Sequence, residues 1–142
     1  MTQIFALQGM SNSGKTSTLI QLDQEIQNKY PNAVRTIHIH RKDICISYEI
    51  IVNGSIIKVG IESQGDPNSR LKDSLELFKK IGCAIIFCAC RTRGMTVDWI
   101  NDFVQSNHYP KPIFITKQKS LNSTQSQDNL SAAQNLMRRA NL

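Results

Sequence analysis

The 142-residue chain is 40% hydrophobic and 20% charged, with seven Gly and four Pro. This profile fits one domain over residues 1–142 and excludes a collagenous or disordered chain. Its longest apolar run, Cys83 to Cys90, is far shorter than the roughly 20 residues that a membrane-spanning helix needs, and Met1 to Phe5 has no basic leader, so a cytoplasmic protein is expected. Seventeen Lys and Arg against eleven Asp and Glu give a net charge of +6, which favours an anionic partner, phosphate or nucleic acid.

Ile4 to Leu7 is a short apolar run that ends near Gly9. Beyond Gly14, apolar side chains at Leu19, Leu22, Ile26 and Tyr30 have the three-and-four spacing of one helix face. This reads as strand, glycine loop, helix, and Pro31 stops the helix because proline disfavours helical geometry in the residue before it. Val34 to His40 reads as a second strand, expected parallel to the first through a right-handed crossover. From Ile44 to Val52 the even positions are apolar, the period of a half-buried strand. Asn53-Gly54, where both residues tolerate positive φ, then turns the chain into an antiparallel partner, Ile56 to Glu62.

Asp66 to Ser69 is expected to open a helix that runs to Ile81, with Leu71, Leu75 and Phe78 inward and Gly82 beyond its end. Cys83 to Cys90, apolar on both faces, fits a central parallel strand. Thr96 can cap a helix to about residue 105, Pro112 to Thr116 makes a short strand, and 117–127 is a polar loop. A closing helix carries Leu130, Ala133, Leu136, Met137 and Ala140. The alternation predicts an α/β three-layer sandwich whose mostly parallel sheet has one antiparallel hairpin at an edge.

Gly9-Met10-Ser11-Asn12-Ser13-Gly14-Lys15-Thr16 fits G-x-x-x-x-G-K-S/T throughout. With this chain's composition the pattern arises by chance at a rate of roughly 0.003, before its flanking strand and helix are required. The glycines let the backbone curl so that N–H groups face inward, the following helix adds its positive end, and Lys15 adds a charge. The motif resembles that of the P-loop NTPase superfamily. The resemblance implies a P-loop type fold and a nucleoside triphosphate, ATP or GTP, bound by residues 9, 11–17 and 65, with Mg²⁺ at the Thr16 hydroxyl.

Such enzymes need a carboxylate at the end of a neighbouring strand. Setting aside the acids on helix faces and mid-strand leaves Asp43, Glu62 and Asp66. Glu62, closing an apolar strand, is the expected acid on the Mg²⁺ side, and Asp66 is second; the bland alternative is that both only cap the next helix. Glu62-Ser63-Gln64-Gly65 also resembles the D-x-x-G signature of Ras-like GTPases, which implies contact between Gly65 and the γ-phosphate. Thr116-Lys117-Gln118-Lys119 stands where that family reads guanine, and it lacks the aspartate.

Arg91 and Arg93 follow the central strand and are expected on the same sheet edge, to clamp a phosphate or to lie solvated. His38, His40, Arg41 and Lys42 cluster at the end of the second strand, where a kinase would hold an anionic substrate. The two histidines lack a third metal ligand, the four cysteines lack a C-x-x-C pair, and Trp99 sits among apolar helix positions as a core residue would. The expected function is Mg²⁺-dependent NTP hydrolysis, with Lys15, Glu62, Arg91 and Arg93 acting on the γ-phosphoryl. A small-molecule or nucleotide kinase and a non-catalytic nucleotide-dependent switch with a protein partner are the alternatives. Nucleic acid is a less favoured partner, and none of this points to a membrane.

Overall fold

Alternating strand and helix patterns become six strands and four helices in the computed structural model, which describes residues 1–142. In chain order they are β1 (Gln3–Gln8), α1 (Lys15–Lys29), β2 (Val34–His40), β3 (Ile44–Val52), β4 (Ser55–Glu62), α2 (Leu71–Ile81), β5 (Ile85–Cys90), α3 (Met95–Ser106), β6 (Ile113–Thr116) and α4 (Gln125–Arg139). One mixed sheet takes the order β2-β3-β4-β5-β1-β6. β1 pairs in parallel with β5 and β6, β4 pairs in parallel with β5, and β3 runs antiparallel to both β2 and β4.

The pleat divides the apolar residues between two faces. Phe5, Leu7, Ile44, Ile46, Tyr48 and Ile50 pack with Leu19, Leu22 and Ile26 of α1 and Ala133, Leu136 and Met137 of α4. Ile4, Ala6, Cys45, Cys88 and Cys90 pack with Leu71, Leu75 and Phe78 of α2 and Ile100, Phe103 and Val104 of α3, with Trp99 against them. The result is an α/β sandwich with helices on both faces of the sheet. No helix is long and apolar enough to cross a membrane.

The antiparallel strand is not at the edge. β3 lies one place in, because β2 folds back on it through the tight turn at Arg41–Asp43, where the Arg41 amide donates to the Asp43 carbonyl at 3.0 Å. β2 runs in the same direction as β1 but lies at the far edge, with β3, β4 and β5 between them. The Asn53-Gly54 turn has the positive φ angles expected of it, 52° and 80°. α2 starts at Leu71, since residues 66–70 form a turn in which the Ser69 hydroxyl accepts from the Leu71 amide. α3 starts at Met95, and the Thr96 hydroxyl accepts from the Arg91 amide instead of capping. α4 takes in the last residues of the polar segment. Five strands share one direction, so the segments after β1, β2, β4, β5 and β6 gather at a single sheet edge.

Candidate functional site

The glycine loop leaves β1 at that edge and is held on both sides. The Gly9 amide donates to the Cys90 carbonyl at 3.2 Å, and the Lys117 amide donates to the Gln8 carbonyl at 2.7 Å. Gly14 has φ 95°, a left-handed conformation that favours glycine, and it directly precedes α1. Gly9 is required for another reason: a Cβ there would lie 2.6 Å from the Lys117 carbonyl oxygen and 2.7 Å from Ser13 Oγ. The first turn of α1 holds no acidic residue, so its positive end is not offset from within.

Lys15 folds back over the loop, its Nζ donating to the carbonyls of Gly9 at 2.5 Å and Met10 at 2.9 Å. Burial is the main cause that lowers its pKa from the usual lysine value, followed by the nearby charge of Arg91. Ser13 Oγ is the single buried side-chain oxygen or nitrogen without a hydrogen-bond partner, in a residue only 4% exposed. A buried hydroxyl left unpaired costs about 1–3 kcal/mol.

A cavity of about 300 Å³ opens over this loop. Ser11, Asn12, Ser13, Gly14, Lys15, Thr16 and Ser17 form one wall; Asp43, Ser63, Gln64, Gly65, Asp66 and Gln125 complete it, and none of the thirteen is hydrophobic. Such a lining is polar throughout, with Lys15 its one cation beside Asp43 and Asp66, and it offers a flat ring nothing apolar to lie on. The Thr16 hydroxyl donates to Asp43 Oδ1 at 3.3 Å, and the Ser63 hydroxyl donates to the same oxygen at 3.0 Å. Ser63 Oγ in turn accepts from the Ile44 amide at 2.8 Å, which ties the end of β4 to the turn that carries Asp43.

The structure brings Asp66 and Gly65 to the cavity with the glycine loop, and it turns Glu62 elsewhere. Glu62 pairs with Cys45 and Cys88 in the sheet register and so points to the α2 face. It is 0% exposed, accepting from Arg70 Nε at 2.7 Å, Arg70 Nη2 at 3.0 Å, Ser74 Oγ at 2.5 Å and the Gln64 amide at 3.0 Å. Burial raises its carboxyl pKa from the ordinary value, and the Ser74, Gln64 and Arg70 contacts oppose the shift. β4 is also not beside β1, since β5 lies between them. The carboxylate at the Thr16 hydroxyl is therefore that of Asp43, on the β2–β3 turn.

Arg91 reaches the mouth of the cavity, where Nε and Nη2 donate to Asp66 Oδ1 at 3.0 and 2.9 Å. Arg93 is exposed and makes no side-chain hydrogen bond or ion pair. His38 Nε2 lies 3.0 Å from Ser47 Oγ, the four cysteines are buried and free, and no group of three or more His, Cys, Asp or Glu is placed to hold a metal. Two further residues support the loop. Lys117, 7% exposed, packs against Gly14 and donates to the Gln118 carbonyl and the Ser120 hydroxyl; Asn129 accepts from the Thr18 hydroxyl at 3.2 Å. Compared with protein-family models, curated proteins and solved structures, the chain matches none.

Proposed function

We propose that the protein binds a nucleoside triphosphate, ATP or GTP, through its phosphates and transfers the γ-phosphoryl in a Mg²⁺-dependent reaction, to water when no other acceptor is bound. The observation that carries this reading is the unpartnered, buried Ser13 hydroxyl beside Lys15 at the start of α1. A phosphate oxygen over the loop would satisfy that hydroxyl, meet inward backbone N–H groups and draw Lys15 Nζ from the carbonyls of Gly9 and Met10. Lys15 then stabilises charge on the outer phosphates.

The oxygens near the loop fit Mg²⁺, a hard cation that in such sites takes one or two carboxylates and several waters along with phosphate oxygens. Thr16 and Asp43 would hold it, with Asp66 at the mouth. Bound there, the ion would neutralise charge on the phosphates. Arg91, held at the mouth by Asp66, is placed to exchange that carboxylate for a phosphate. Gln64 lines the cavity and is the residue placed to orient a water.

Phosphate release from ATP and GTP, with and without Mg²⁺, tests the reading beside a Lys15→Ala variant. The wild type is expected to bind and turn over one of them with Mg²⁺. Lys15→Ala is expected to bind about tenfold to a hundredfold more weakly, the value of one charge-assisted contact. Absence of nucleotide binding by the wild type refutes the proposal. Tight, Lys15-dependent binding without phosphate release refutes the transfer step and leaves a nucleotide-dependent binding module.

A further inference from the structure

A second cavity, of about 650 Å³, lies beside the first and shares Asp43 and Gln64 with it. Its outer lining is the end of β2 and the turn after it, where His40, Arg41 and Lys42 stand exposed. The side chains of Arg41 and Lys42 have no hydrogen-bond or ion-pair partner in the protein, so two cations line this space unpaired, against the single carboxylate of Asp43. Arg70 also lines it, but its guanidinium is committed to Glu62, which makes it wall and not an available charge.

The boundary between the two cavities carries groups with capacity to spare. Gln64 Oε1 accepts from the Arg70 amide at 3.3 Å, and the amide nitrogen of its side chain has no partner. Asp43 takes the hydroxyls of Thr16 and Ser63 on Oδ1 and leaves Oδ2 unbonded. Asp43 is also the lone acid on the lining, and its occupied oxygen is directed to the glycine-loop side. A volume of this order matches small-molecule sites and is too small for a folded partner.

We propose that this cavity binds a small phosphomonoester dianion, at the same time as the nucleotide, on the far side of Asp43 and Gln64 from the glycine loop. Two unpaired cations match the two charges of such a group, and a guanidinium meets phosphate oxygens in a bidentate fork. A monocarboxylate would leave one cation unmatched. The simultaneous binding rests on the nucleotide reading above; the anion site itself does not.

Calorimetry and NMR titration with phenyl phosphate test the proposal on the intact protein saturated with a non-hydrolysable ATP or GTP analogue and Mg²⁺. Benzoate and a short single-stranded oligonucleotide serve as the comparison probes. Phenyl phosphate is expected to bind in the presence of the analogue, at least tenfold more tightly than benzoate, with shifts at Arg41, Lys42 and Gln64. In Arg41→Ala/Lys42→Ala, at two exposed positions, its affinity is expected to fall at least tenfold. Displacement of phenyl phosphate by the analogue, survival of its binding in the double variant, or no binding at millimolar concentration overturns the proposal. An oligonucleotide that binds more tightly than phenyl phosphate through the same two residues overturns the small-molecule assignment. If the analogue does not bind but phenyl phosphate does so through Arg41 and Lys42, the nucleotide reading falls and the anion site stands.

Discussion

Replacing Glu62 by alanine separates a structural carboxylate from a metal-binding one. The change removes four hydrogen-bond acceptor contacts, leaves the Arg70 guanidinium without its counter-charge, and leaves the Ser74 hydroxyl with Cys45 Sγ at 3.7 Å as its remaining partner. Removing one member of a buried ion pair costs about 3–5 kcal/mol. Because the Arg70 side chain keeps 24% of its exposure while Glu62 has none, the lower end applies, about 3 kcal/mol. With an unfolding entropy of about 0.3 kcal/mol/K for a chain of this length, Tm falls by about 10 °C. Urea and thermal unfolding followed by circular dichroism measure both quantities. Glu62→Leu/Arg70→Met should recover most of the loss, since an apolar pair needs no counter-charge. Below its melting range Glu62→Ala should keep Mg²⁺-dependent nucleotide binding, whereas Asp43→Asn should weaken it at little cost in Tm. A loss under about 1 kcal/mol, or a larger Mg²⁺ defect in the Glu62 variant than in the Asp43 variant, refutes this reasoning.

Gly65→Ala would place its Cβ 2.4 Å from the Ala89 carbonyl carbon and 2.5 Å from its oxygen. Because backbone is less able to yield than a flexible side chain, the 63–66 segment must move, with an expected loss of about 1–3 kcal/mol in denaturant unfolding and weaker nucleotide binding. Burial pushes the thiol of Cys45 up to about 11 and those of Cys83 and Cys90 up to about 12, and Cys88 also lies well above 9.0. Iodoacetamide at pH 8 should therefore modify none of the four in the folded protein and all of them in urea, counted by mass spectrometry. Below pH 9 folded and unfolded chains both keep these protons. Above it the unfolded chain releases them first, so stability should fall as pH rises from 9 through about 12.

What was legible in the sequence was local. The Asn53-Gly54 turn and the strand, loop and helix around the glycine motif each depend on neighbours a few positions apart and formed as read, whereas β3 formed as a strand but is buried on both faces from Ile44 to Tyr48, not half-buried. The position of β3 was not local, because it depended on β2 returning to the same edge and covering it. The choice between Glu62 and Asp43 turned on one step of the pleat. Glu62 shares its face with Gly60, against which the Phe78 ring packs, and not with Ile61. Its ion pair with Arg70 then depends on where α2 begins. Asp43 carried a signal that could have found it, a carboxylate in the turn after a strand parallel in direction to β1. Lys117 carried a signal only as the lysine of Thr116-Lys117-Gln118-Lys119, and Asn129 carried none; their contacts with the glycine loop and α1 span more than a hundred positions of chain.

The place of β1 in the sheet has a consequence for the order of assembly. Its two neighbours come from the second half of the chain, with Gln3 opposite Ile85 and Phe5 opposite Ile113. β2 and β3, in contrast, each pair with the strand that follows them through a short turn. Loop closure makes distant pairing slower than local pairing, so the β2–β3–β4 meander is free to form while β1 still waits for partners. The glycine loop hangs from β1 and is fastened by Cys90 and Lys117. The motif is thus made well before the segments that fasten it, and the cavity over it is complete only once Gln125 has been added.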